Sequence, residues 1–548
     1  MLKWSPKWRE QTLASLISDD VEWDLIVVGG GITGAGVYRE AANRGLKVLL
    51  LEQQDFAWGT SSRSSKMVHG GLRYLGVGQF GLANDSVKER QRLMSELPGL
   101  VNPLPFLMGH YKGSFPGPKI FNLLLTVYDW MAGKRYRQYI DQGVNDYWAP
   151  GVNENKLLGM TRFADAVTDD ARLVMRVLHD GNDKGGVALN YLKAVDTLRS
   201  DDGISGLSVE DQITKQKITL RSKVVVNATG AWTDALRATL GQQRVIRPLR
   251  GSHLVVPFWR LPVSFSVSFF HPKDKRPVFA FPWEGMTVIG TTDIDHRASM
   301  DTEAVISSAE LDYLLDAVNH QFNQANIVAD DIVSTWSGVR PVVSENQNEV
   351  VDDGKEGKPS SEKREHAIWN DKGLISVAGG KLTTYRLIAL DVLRAALPYL
   401  PKALSPGSLS SAEPFLAIEE GIDMPRELSP EAQKRLIGRH GLNAEKLIAA
   451  SREYAQDPID KIATTDTLWA ELIWACLSES VEHLDDLLLR RTRIGLLLPT
   501  GAQSEMAIVK GICQKCLAWD DLRWQQELHR YQTIIERAYS LPDSVKRV

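Results

Sequence analysis

Three glycines and an acidic residue near the start of the chain have the types and spacing needed to hold a dinucleotide. Gly29, Gly31 and Gly34 match G-x-G-x-x-G, and Glu52 follows them. In this motif the first glycine forms a turn, the second admits a pyrophosphate, and the third allows close packing of a helix on a strand. An acidic residue at the position of Glu52 accepts hydrogen bonds from an adenosine ribose. These residues predict an adenine dinucleotide site, which FAD and NAD satisfy equally.

The segments around these residues predict the strands and helix that position them. Apolar residues 25–28 indicate a buried parallel strand, residues 35–44 a helix, and residues 47–51 a second strand that ends at Glu52. The pyrophosphate is expected at the N-terminus of the helix, where N–H groups and the helix dipole favour negative charge. An ordinary glycine-rich turn is the alternative, and the complete strand, helix, strand and acid argue against it.

Length and composition indicate a multidomain globular protein. The chain has 548 residues, which exceeds one compact core and predicts two or three domains. Hydrophobic residues make up 43% and charged residues 24%, which excludes a disordered chain. The net charge of −4 gives no overall attraction to nucleic acid, so we expect no nucleic-acid partner. Recognition of an anionic substrate then requires a local cluster of basic residues.

The cysteines and the apolar segments suggest neither a disulfide framework nor a membrane span. The chain has three cysteines, and the pair in C-x-x-C, Cys513 and Cys516, has no second pair beside it. We therefore interpret them as packed helix cysteines in a reducing compartment, not a redox pair or zinc site, and predict no metal. Residues 120–131 are apolar but shorter than the ~20 residues that cross a bilayer. They predict a core helix or one that dips into a membrane surface.

The N-terminal segment has a pattern of its own. Trp4, Trp8, Leu13 and Leu16 could form one side of a short amphipathic helix that also carries basic residues. Such a helix docks either on the protein's own surface or on lipid. It lacks the continuous apolar core of a secretory signal.

Residues 59–75, GTSSRSSKMVHGGLRYL, combine hydroxyls, glycines and bases in a way that suits a loop around a phosphate-bearing cofactor. Through this segment the sequence resembles the FAD-dependent glycerol-3-phosphate dehydrogenases. The resemblance recurs in VNATGAW, RGSHLVVP, IGTTD, SGVRP and GGKLTTYR, at residues 226–232, 250–257, 289–293, 337–341 and 379–386. It extends over nearly the whole chain in the family's order and favours FAD over NAD.

The resemblance implies an α/β fold: a Rossmann-type FAD-binding domain, an antiparallel-sheet substrate (cap) domain and a C-terminal all-α domain. The expected boundaries are an N-terminal extension at 1–20, an oxidoreductase region at 21–412 and a helical domain at 413–548. FAD-binding parts at about 21–80, 165–250 and 335–400 are expected to alternate with cap parts at about 81–164 and 251–334. Residue patterns add a helix at 84–97, capped by Asn84 or Asp85, and one at 430–437 that ends before Gly438.

Cofactor contacts are expected where the glycine fingerprint and the family's motifs match this sequence. The predicted FAD-binding residues are Gly29, Gly31, Ile32, Thr33, Gly34, Glu52, Thr60, Ser61, Ser62, Ser65, Lys66, Ala194, Ala228, Thr229, Gly230, Gly380, Leu382, Thr383 and Thr384. Amides of the helix after Gly380 are expected to point at the flavin pyrimidine, where negative charge develops on reduction. Thr383 and Thr384 alternatively serve only to cap that helix.

The substrate side of the site is predicted to be basic. Several guanidinium and ammonium groups beside cofactor motifs suit the capture of a phosphate dianion. The resemblance assigns substrate contacts to Arg73, Tyr74, Arg340, Arg364 and Lys381, of which Arg364 lies in a poorly matching loop. Catalytic roles fall to His69, Arg340 and Lys381.

His69 is the expected proton acceptor, because imidazole titrates near neutral pH and this one lies in a glycine-flanked loop. His253 is a second candidate. In a third arrangement, Arg340 and Lys381 stabilise an alkoxide and water takes the proton.

The resemblance implies oxidation of sn-glycerol 3-phosphate to dihydroxyacetone phosphate by hydride transfer to FAD, with electrons then passed to a membrane quinone. It also implies peripheral association with the cytoplasmic face of the inner membrane, or a cytoplasmic location, and a homodimer is a further possibility. An oxidase that reduces oxygen and a non-catalytic flavin-binding module are the alternatives.

Overall fold

The computed structural model describes residues 2–19, 21–201, 203–344, 366–402, 404–415, 422–455 and 457–543. The helices are α1 Pro6–Ser18, α2 Ile32–Asn43, α3 Leu72–Gly76, α4 Phe80–Glu96, α5 Pro118–Ala132, α6 Asn145–Trp148, α7 Asp170–Asp183, α8 Thr233–Ala238, α9 Ser308–Gln321, α10 Tyr385–Ala396, α11 Pro430–His440, α12 Asn443–Ser451, α13 Trp469–Ser478, α14 Ile494–Leu497, α15 Pro499–Ala502, α16 Met506–Leu517 and α17 Asp521–Ile534.

The strands belong to three sheets. They are β1 Glu22–Trp23, β2 Leu25–Val28, β3 Val48–Leu51, β4 Met67–Val68, β5 Val101–Tyr111, β6 Gln138–Asp141, β7 Leu157–Thr168, β8 Val187–Leu189, β9 Leu192–Ser200, β10 Gly203–Asp211, β11 Lys217–Ser222, β12 Val225–Asn227, β13 Ile246–Pro257, β14 Ser266–Phe270, β15 Pro277–Trp283, β16 Met286–Gly290, β17 Ile294–Asp295, β18 Ser334–Val343, β19 Ala367–Asp371 and β20 Leu374–Ala378.

A six-stranded sheet, which we call the nucleotide sheet, has the order β19-β20-β12-β2-β3-β8 and is parallel except at β19. Leu25 and Val27 pack against α2, α7 and α10 on one face. Ile26 and Val28 pack against a four-stranded sheet, β1-β11-β10-β9, on the other. Because both faces are covered, the strands are uninterrupted apolar runs. The predicted strand, helix and strand are β2, α2 and β3, although α2 begins at Ile32, earlier than expected.

A ten-stranded sheet, which we call the cap sheet, brings three of the sequence motifs together. Its strands are antiparallel except where β14 runs parallel to β5. Strand β13 pairs with β18 on one side, which places Gly251 opposite Gly338. On its other side β13 pairs with β16, which places His253 opposite Gly290. The segments RGSH, SGVRP and IGTTD are therefore neighbours, although they are far apart in sequence.

Two other helix boundaries, in α4 and α11, also differ from the sequence-based expectation. Helix α4 begins at Phe80, not at Asn84, because Ala83 in the added turn is fully buried in the core beside Val87. Helix α11 has the expected cap, since the Ser429 side chain accepts a hydrogen bond from the N–H of Ala432. It nevertheless runs past Gly438. A Cβ at Gly438 would lie 2.4 Å from the Pro98 carbonyl oxygen, so this glycine serves close packing and not helix termination.

The helices after residue 429 form the C-terminal domain, which packs against the cap sheet. Leu488 and Leu496 share one apolar core with Trp283 and Trp336 of the cap sheet. The Ser334 hydroxyl also donates to the Leu496 carbonyl at 2.7 Å. This C-terminal helical domain confirms the predicted fold class. Cys516 of the C-x-x-C segment lies within α16, as predicted for a helix cysteine, and burial raises the pKa of its thiol to about 12.

The N-terminal segment docks on the protein itself. Trp4 is 1% exposed and contacts Phe56 and His179, and its indole N–H donates to the Ala188 carbonyl at 2.8 Å. Its own carbonyl accepts a hydrogen bond from Ser480 of the C-terminal domain. The segment thus joins the nucleotide sheet to the C-terminal domain.

Replacing Trp4 should loosen this junction. We expect Trp4→Ala to lower the free energy of unfolding by about 3–5 kcal/mol, because a large buried side chain and its hydrogen bond are lost. Denaturant unfolding followed by circular dichroism measures the change. Trp259→Ala is the matched control, since Trp259 is 76% exposed. Equal unfolding midpoints for the two variants would contradict a structural role for Trp4.

Candidate active site

The glycine fingerprint lies where β2 and β12 end side by side. Gly29 has a φ of +112°, and a Cβ there would lie 2.5 Å from the carbonyl oxygen of Ala228. A Cβ on Gly34 would lie 1.9 Å from the carbonyl oxygen of Gly29. Neither position accepts a side chain while the backbones approach this closely. The first fingerprint and the A-T-G segment after β12 therefore form one cradle at the carboxyl edge of the sheet.

The first turn of α2 faces the loop that follows Glu52. The Ser61 hydroxyl accepts a hydrogen bond from the N–H of Ile32 at 2.9 Å, and a Cβ on Gly31 would lie 3.0 Å from it. Thr33 lies half-buried in the same turn. A helix N-terminus and a hydroxyl are thus placed together, which suits a pyrophosphate.

Glu52 lies beside the cradle at the end of β3. Its carboxylate accepts hydrogen bonds from the N–H groups of Gly30 at 2.7 Å and Gln54 at 2.9 Å. Burial raises the pKa of Glu52 to about 7, against the opposing effect of these two bonds. The carbonyl of Glu52 accepts from the N–H of Leu192, and Ala194 follows on the same strand, β9. Ala194 therefore lies on the Glu52 side of the cradle.

The loop of residues 59–66 connects the cradle to the cap sheet. The Thr60 hydroxyl donates to the Val339 carbonyl on β18, and the Ser65 hydroxyl lies 2.9 Å from Nε2 of His253 on β13. Ser62 is buried. The ammonium group of Lys66 donates to Asp170 at 2.8 Å and to the Ser62 carbonyl at 2.6 Å. Its side chain is fully buried on the far side of this loop, so the predicted cofactor contact of Lys66 does not involve its charge.

The His69 loop is held from two directions. The Thr383 hydroxyl donates to the His69 carbonyl at 3.1 Å. The N–H of Gly70 donates to Asp165 at 2.9 Å, and a Cβ on Gly70 would lie 2.3 Å from the Tyr128 hydroxyl oxygen. His69 itself is half-buried. The His69 backbone is therefore fixed beside the segment that begins at Gly379.

Lys381 and Tyr74 are in direct contact. The Lys381 ammonium nitrogen lies 3.5 Å from the centroid of the Tyr74 ring, a cation–π geometry. Gly379 and Gly380 have φ values of +78° and +84°, which let the chain turn tightly before Lys381. Arg73 precedes Tyr74 on α3 and is exposed. The structure thus joins three of the predicted substrate residues, Arg73, Tyr74 and Lys381, in one place.

Helix α10 begins at Tyr385, later than its glycine-rich lead segment suggested. Thr384 is its N-cap residue, but the Thr384 side chain makes no capping hydrogen bond. Thr383 bonds to His69 instead, and Leu382 is half-buried. The two threonines therefore do not cap the helix with their side chains.

Arg340 lies on β18 between Val339, which bonds to the loop of residues 59–66, and Pro341, which lies near Gly230 after β12. Val339 accepts the Thr60 hydrogen bond, and Pro341 is the residue nearest to a Cβ built on Gly230, at 3.9 Å. The Arg340 guanidinium is 3.4 Å from Asp293 and is half-buried. Arg364 lies outside the described residues.

Sequence reasoning missed the carboxylates that support this site. Asp293 pairs with Arg340, and its only signal was its place at the end of IGTTD. Asp165 pairs with Arg90 and Tyr128 beneath Gly70, and no sequence pattern marked it.

His253 fits a structural role better than proton acceptance. It is 1% exposed and stacks on Trp336 with ring centroids 5.0 Å apart. Burial, together with the positive charges of Lys66 and Arg340, lowers its pKa well below the usual value. A neutral, enclosed imidazole that bonds to Ser65 positions the loop.

Comparison with known proteins identifies the family. A model described as FAD dependent oxidoreductase matches residues 24–386, and one described as the C-terminal domain of alpha-glycerophosphate oxidase matches residues 406–524. An aerobic glycerol-3-phosphate dehydrogenase of Staphylococcus aureus (strain MRSA252) is 33% identical over 510 residues, which cover 88% of each chain. This chain belongs to the FAD-dependent glycerol-3-phosphate dehydrogenase family.

Two solved structures agree with the family's fold. The glycerol-3-phosphate dehydrogenase of Bacillus halodurans complexed with FAD is 26% identical, with a TM-score of 0.74, and the match covers 97% of this chain and 98% of that one. An L-alpha-glycerophosphate oxidase of Mycoplasma pneumoniae with FAD bound shares the fold at 16% identity, with a TM-score of 0.54 and coverage of 69% and 95%.

The residues of this glycerol-3-phosphate dehydrogenase family member fit FAD. Glycines at 29 and 34 let the backbone turn close to Ala228, and the N-terminus of α2 follows this turn, where a pyrophosphate is expected. The Glu52 carboxylate lies beside this turn, where the ribose is predicted. Among the described residues, no group of three or more His, Cys, Asp and Glu side chains could hold a metal ion.

Removing the Glu52 carboxylate should weaken FAD binding. Hydrogen bonds to a charged group contribute about 1.5–3 kcal/mol, so we expect Glu52→Ala to raise the FAD dissociation constant roughly ten- to hundredfold. Titration of apoprotein with FAD, followed by flavin fluorescence, measures it. Glu22→Ala, at an exposed acid on β1, is the control. Unchanged FAD retention would contradict the ribose assignment.

Proposed function

We propose that this protein oxidises glycerol 3-phosphate to dihydroxyacetone phosphate with FAD and passes the electrons to a membrane quinone. One observation carries the substrate assignment. The stretch from Thr60 to Tyr74 touches the cofactor helix α2, the strand that carries Arg340 and, through Tyr74, Lys381. Arg340 lies on β18 of the cap sheet, and Lys381 follows β20 of the nucleotide sheet. Both cations therefore lie beside the loop that also contacts the cofactor cradle.

This charge distribution suits a small phosphorylated alcohol. A phosphate dianion needs several cations, and guanidinium groups can bind it through two parallel hydrogen bonds. Arg340 and Lys381 come from segments far apart in sequence and are held by Asp293 and Tyr74, respectively. The exposed Arg73 lies next to Tyr74 on α3, which supports its proposed contact with the phosphate. The proposed role of Arg364 in phosphate binding rests on the family resemblance alone.

The oxidation needs a group that takes the hydroxyl proton and groups that orient the alcohol. Bound FAD supplies the acceptor for the hydride. His69 is the proposed proton acceptor, and its backbone is fixed by Thr383 and Asp165, which keeps the imidazole in place during proton transfer. Arg340 and Lys381 stabilise negative charge on the alcohol oxygen as the proton leaves.

A glycerol-3-phosphate oxidase that reduces oxygen is the second candidate. It is favoured by the match of residues 406–524 to a domain described from alpha-glycerophosphate oxidase. The relatives that match most of the chain are named dehydrogenases and not oxidases, which supports an acceptor other than oxygen as the first candidate. Parallel assays of reduced protein with oxygen and with a soluble quinone separate the two, because an oxidase releases hydrogen peroxide and is insensitive to quinone.

Arg340→Ala should slow reduction of the flavin and leave FAD bound. We expect the rate under anaerobic glycerol 3-phosphate to fall about 10²- to 10³-fold, since a charge-stabilising group next to the reacting oxygen is lost. Stopped-flow bleaching of the flavin absorbance measures this rate. Arg260→Ala is the control, because Arg260 forms a similar ion pair with Asp331. Unchanged bleaching in Arg340→Ala removes Arg340 from the site, and wild-type protein that glycerol 3-phosphate cannot bleach refutes the proposed substrate.

Helix α5 supports the proposal of peripheral membrane association. Its apolar side chains lie on two faces: Phe121, Leu125 and Tyr128 are buried in the core, whereas Leu123 and Trp130 are 68% and 78% exposed. An exposed apolar face of this kind marks an interaction site. The exposed basic residues around this helix are Lys112, Lys119, Lys134 and Arg135. Apolar and basic side chains together suit an anionic lipid surface.

No helix in the described ranges is long and apolar enough to cross a bilayer. We therefore propose that α5 lies on the membrane, at its cytoplasmic face, where the quinone is available. Formation of a homodimer stays a prediction.

Polar replacement of the exposed α5 side chains should weaken lipid binding. We expect Leu123→Ser with Trp130→Ser to lower partitioning onto vesicles that contain anionic lipid at least tenfold, because each apolar side chain contributes about 1.5–3 kcal/mol when buried. Vesicle sedimentation measures the bound fraction. Trp259→Ser, at another exposed tryptophan, is the control. If the wild type, the double variant and the Trp259→Ser control bind vesicles equally, α5 is not the docking surface.

A further inference from the structure

One arginine of the C-terminal domain reaches into the cofactor-binding half of the molecule. Arg493 adopts a φ of +63° immediately before α14 and is 2% exposed. Its Nε donates to Asp169 at 3.0 Å, and one terminal nitrogen donates to the Leu489 carbonyl at 2.7 Å. The other terminal nitrogen donates to Asp170 and, at 3.2 Å, to the backbone carbonyl of Ser62. Every nitrogen of this guanidinium has an acceptor.

The Ser62 carbonyl belongs to the loop that touches the cofactor cradle. It also accepts a hydrogen bond from the Lys66 ammonium group at 2.6 Å, and Lys66 pairs with Asp170. Asp170 in turn accepts from both the N–H and the hydroxyl of Ser64. Arg493, Lys66 and Asp170 therefore hold the backbone of residues 62–66 on its buried side.

The upper side of the same loop faces the cradle. Ser61, adjacent to Ser62, bonds to the first turn of α2, and Thr60 bonds to the strand that carries Arg340. Because Ser61 directly precedes Ser62, a displaced Ser62 peptide moves the Ser61 hydroxyl away from the N-terminus of α2. The C-terminal domain thus supports the place where the pyrophosphate is expected.

We propose that Arg493 is a positioning residue for FAD. Through the Ser62 carbonyl and Asp170, it holds the loop of residues 60–66 in the shape that presents Ser61 to the cofactor. The C-terminal domain is then part of the cofactor site's support and not only an appended helical unit. The proposal rests on the FAD site of the family and does not depend on which alcohol is oxidised.

Arg439 provides a matched control. It also belongs to the C-terminal domain, is 4% exposed and pairs with Asp169, at 3.4 Å. Its second partner is Glu284 on the cap side, and no hydrogen bond between Arg439 and residues 60–66 is found in the described structure. Loss of either arginine removes a buried cation beside Asp169, whereas only Arg493 contacts the cofactor loop.

The test compares Arg493→Lys with Arg439→Lys in the full-length protein. A lysine keeps the charge but cannot bond to Asp169, Asp170 and the Ser62 carbonyl together, because it lacks the planar fork. We expect both variants to lower the thermal unfolding midpoint. Only Arg493→Lys should raise the FAD dissociation constant, at least tenfold, and change the shape of the bound-flavin absorption band. Saturating FAD should restore most of the turnover.

A second variant approaches the loop from its other support and keeps the test decisive if Arg493→Lys folds poorly. Ser64→Ala removes the hydroxyl that donates to Asp170 at 2.7 Å and accepts from the Lys66 N–H at 3.0 Å. We expect it to raise the FAD dissociation constant about threefold with little loss of stability. The proposal is overturned if the Arg493 and Arg439 variants bind FAD equally well, or if Ser64→Ala leaves FAD affinity unchanged.

Discussion

The close approach of two backbone segments at the carboxyl edge of the nucleotide sheet is the constraint on which the site depends. Glycine is required at positions 29 and 34, because a Cβ on Gly34 would clash with the Gly29 carbonyl and a Cβ on Gly29 would clash with the carbonyl of Ala228, which follows β12. A dinucleotide pyrophosphate can be bound mainly by backbone N–H groups only where no Cβ intervenes. This requirement places β12 next to β2 in the sheet.

Residues 59–74 connect that cradle to every other part of the site. This single stretch contacts the first turn of α2, the strands β13 and β18, the segment before α10 and, from below, the C-terminal domain. The hydroxyls of Thr60, Ser61 and Ser65 each bond to a fixed partner, which limits the reorganisation needed when the cofactor and substrate bind. The basic side chains that give the site its charge are brought to this stretch by separate elements.

Local signals in the sequence were sufficient for the cradle. The glycines, α2 and Glu52 were predicted together because their roles depend on spacing within one βαβ unit. The C-terminal helical domain was also expected from pattern and resemblance. Helix boundaries failed where tertiary packing decides them: α4 gains a turn through buried Ala83, and α11 continues through Gly438 because it packs against the chain near Pro98.

Partners that come from distant elements could not be inferred from one sequence. Asp293 beside Arg340, Asp165 beneath Gly70 and Arg493 beneath Ser62 are pairings that only the folded chain defines. Lys66 illustrates the limit most clearly. It lies within a cofactor motif, yet its charge is directed at Asp170. A basic residue in a motif carries no information about which side of the loop it faces.

The attachment of the N-terminal segment to the C-terminal domain has a consequence for biosynthesis. The Ser478 hydroxyl donates to the backbone carbonyl of Lys3, which is 475 residues away in the sequence. The N–H of Ser480 donates to the carbonyl of Trp4. At translation rates of about 5–20 residues per second, the N-terminal segment leaves the ribosome roughly half a minute or more before Ser478 and Ser480 have been made. Trp4 can pack on Phe56 and His179 within that interval, but its segment cannot bond to the C-terminal domain until the interval ends. Final closure of the molecule therefore waits until nearly all of the polypeptide has been released from the exit tunnel.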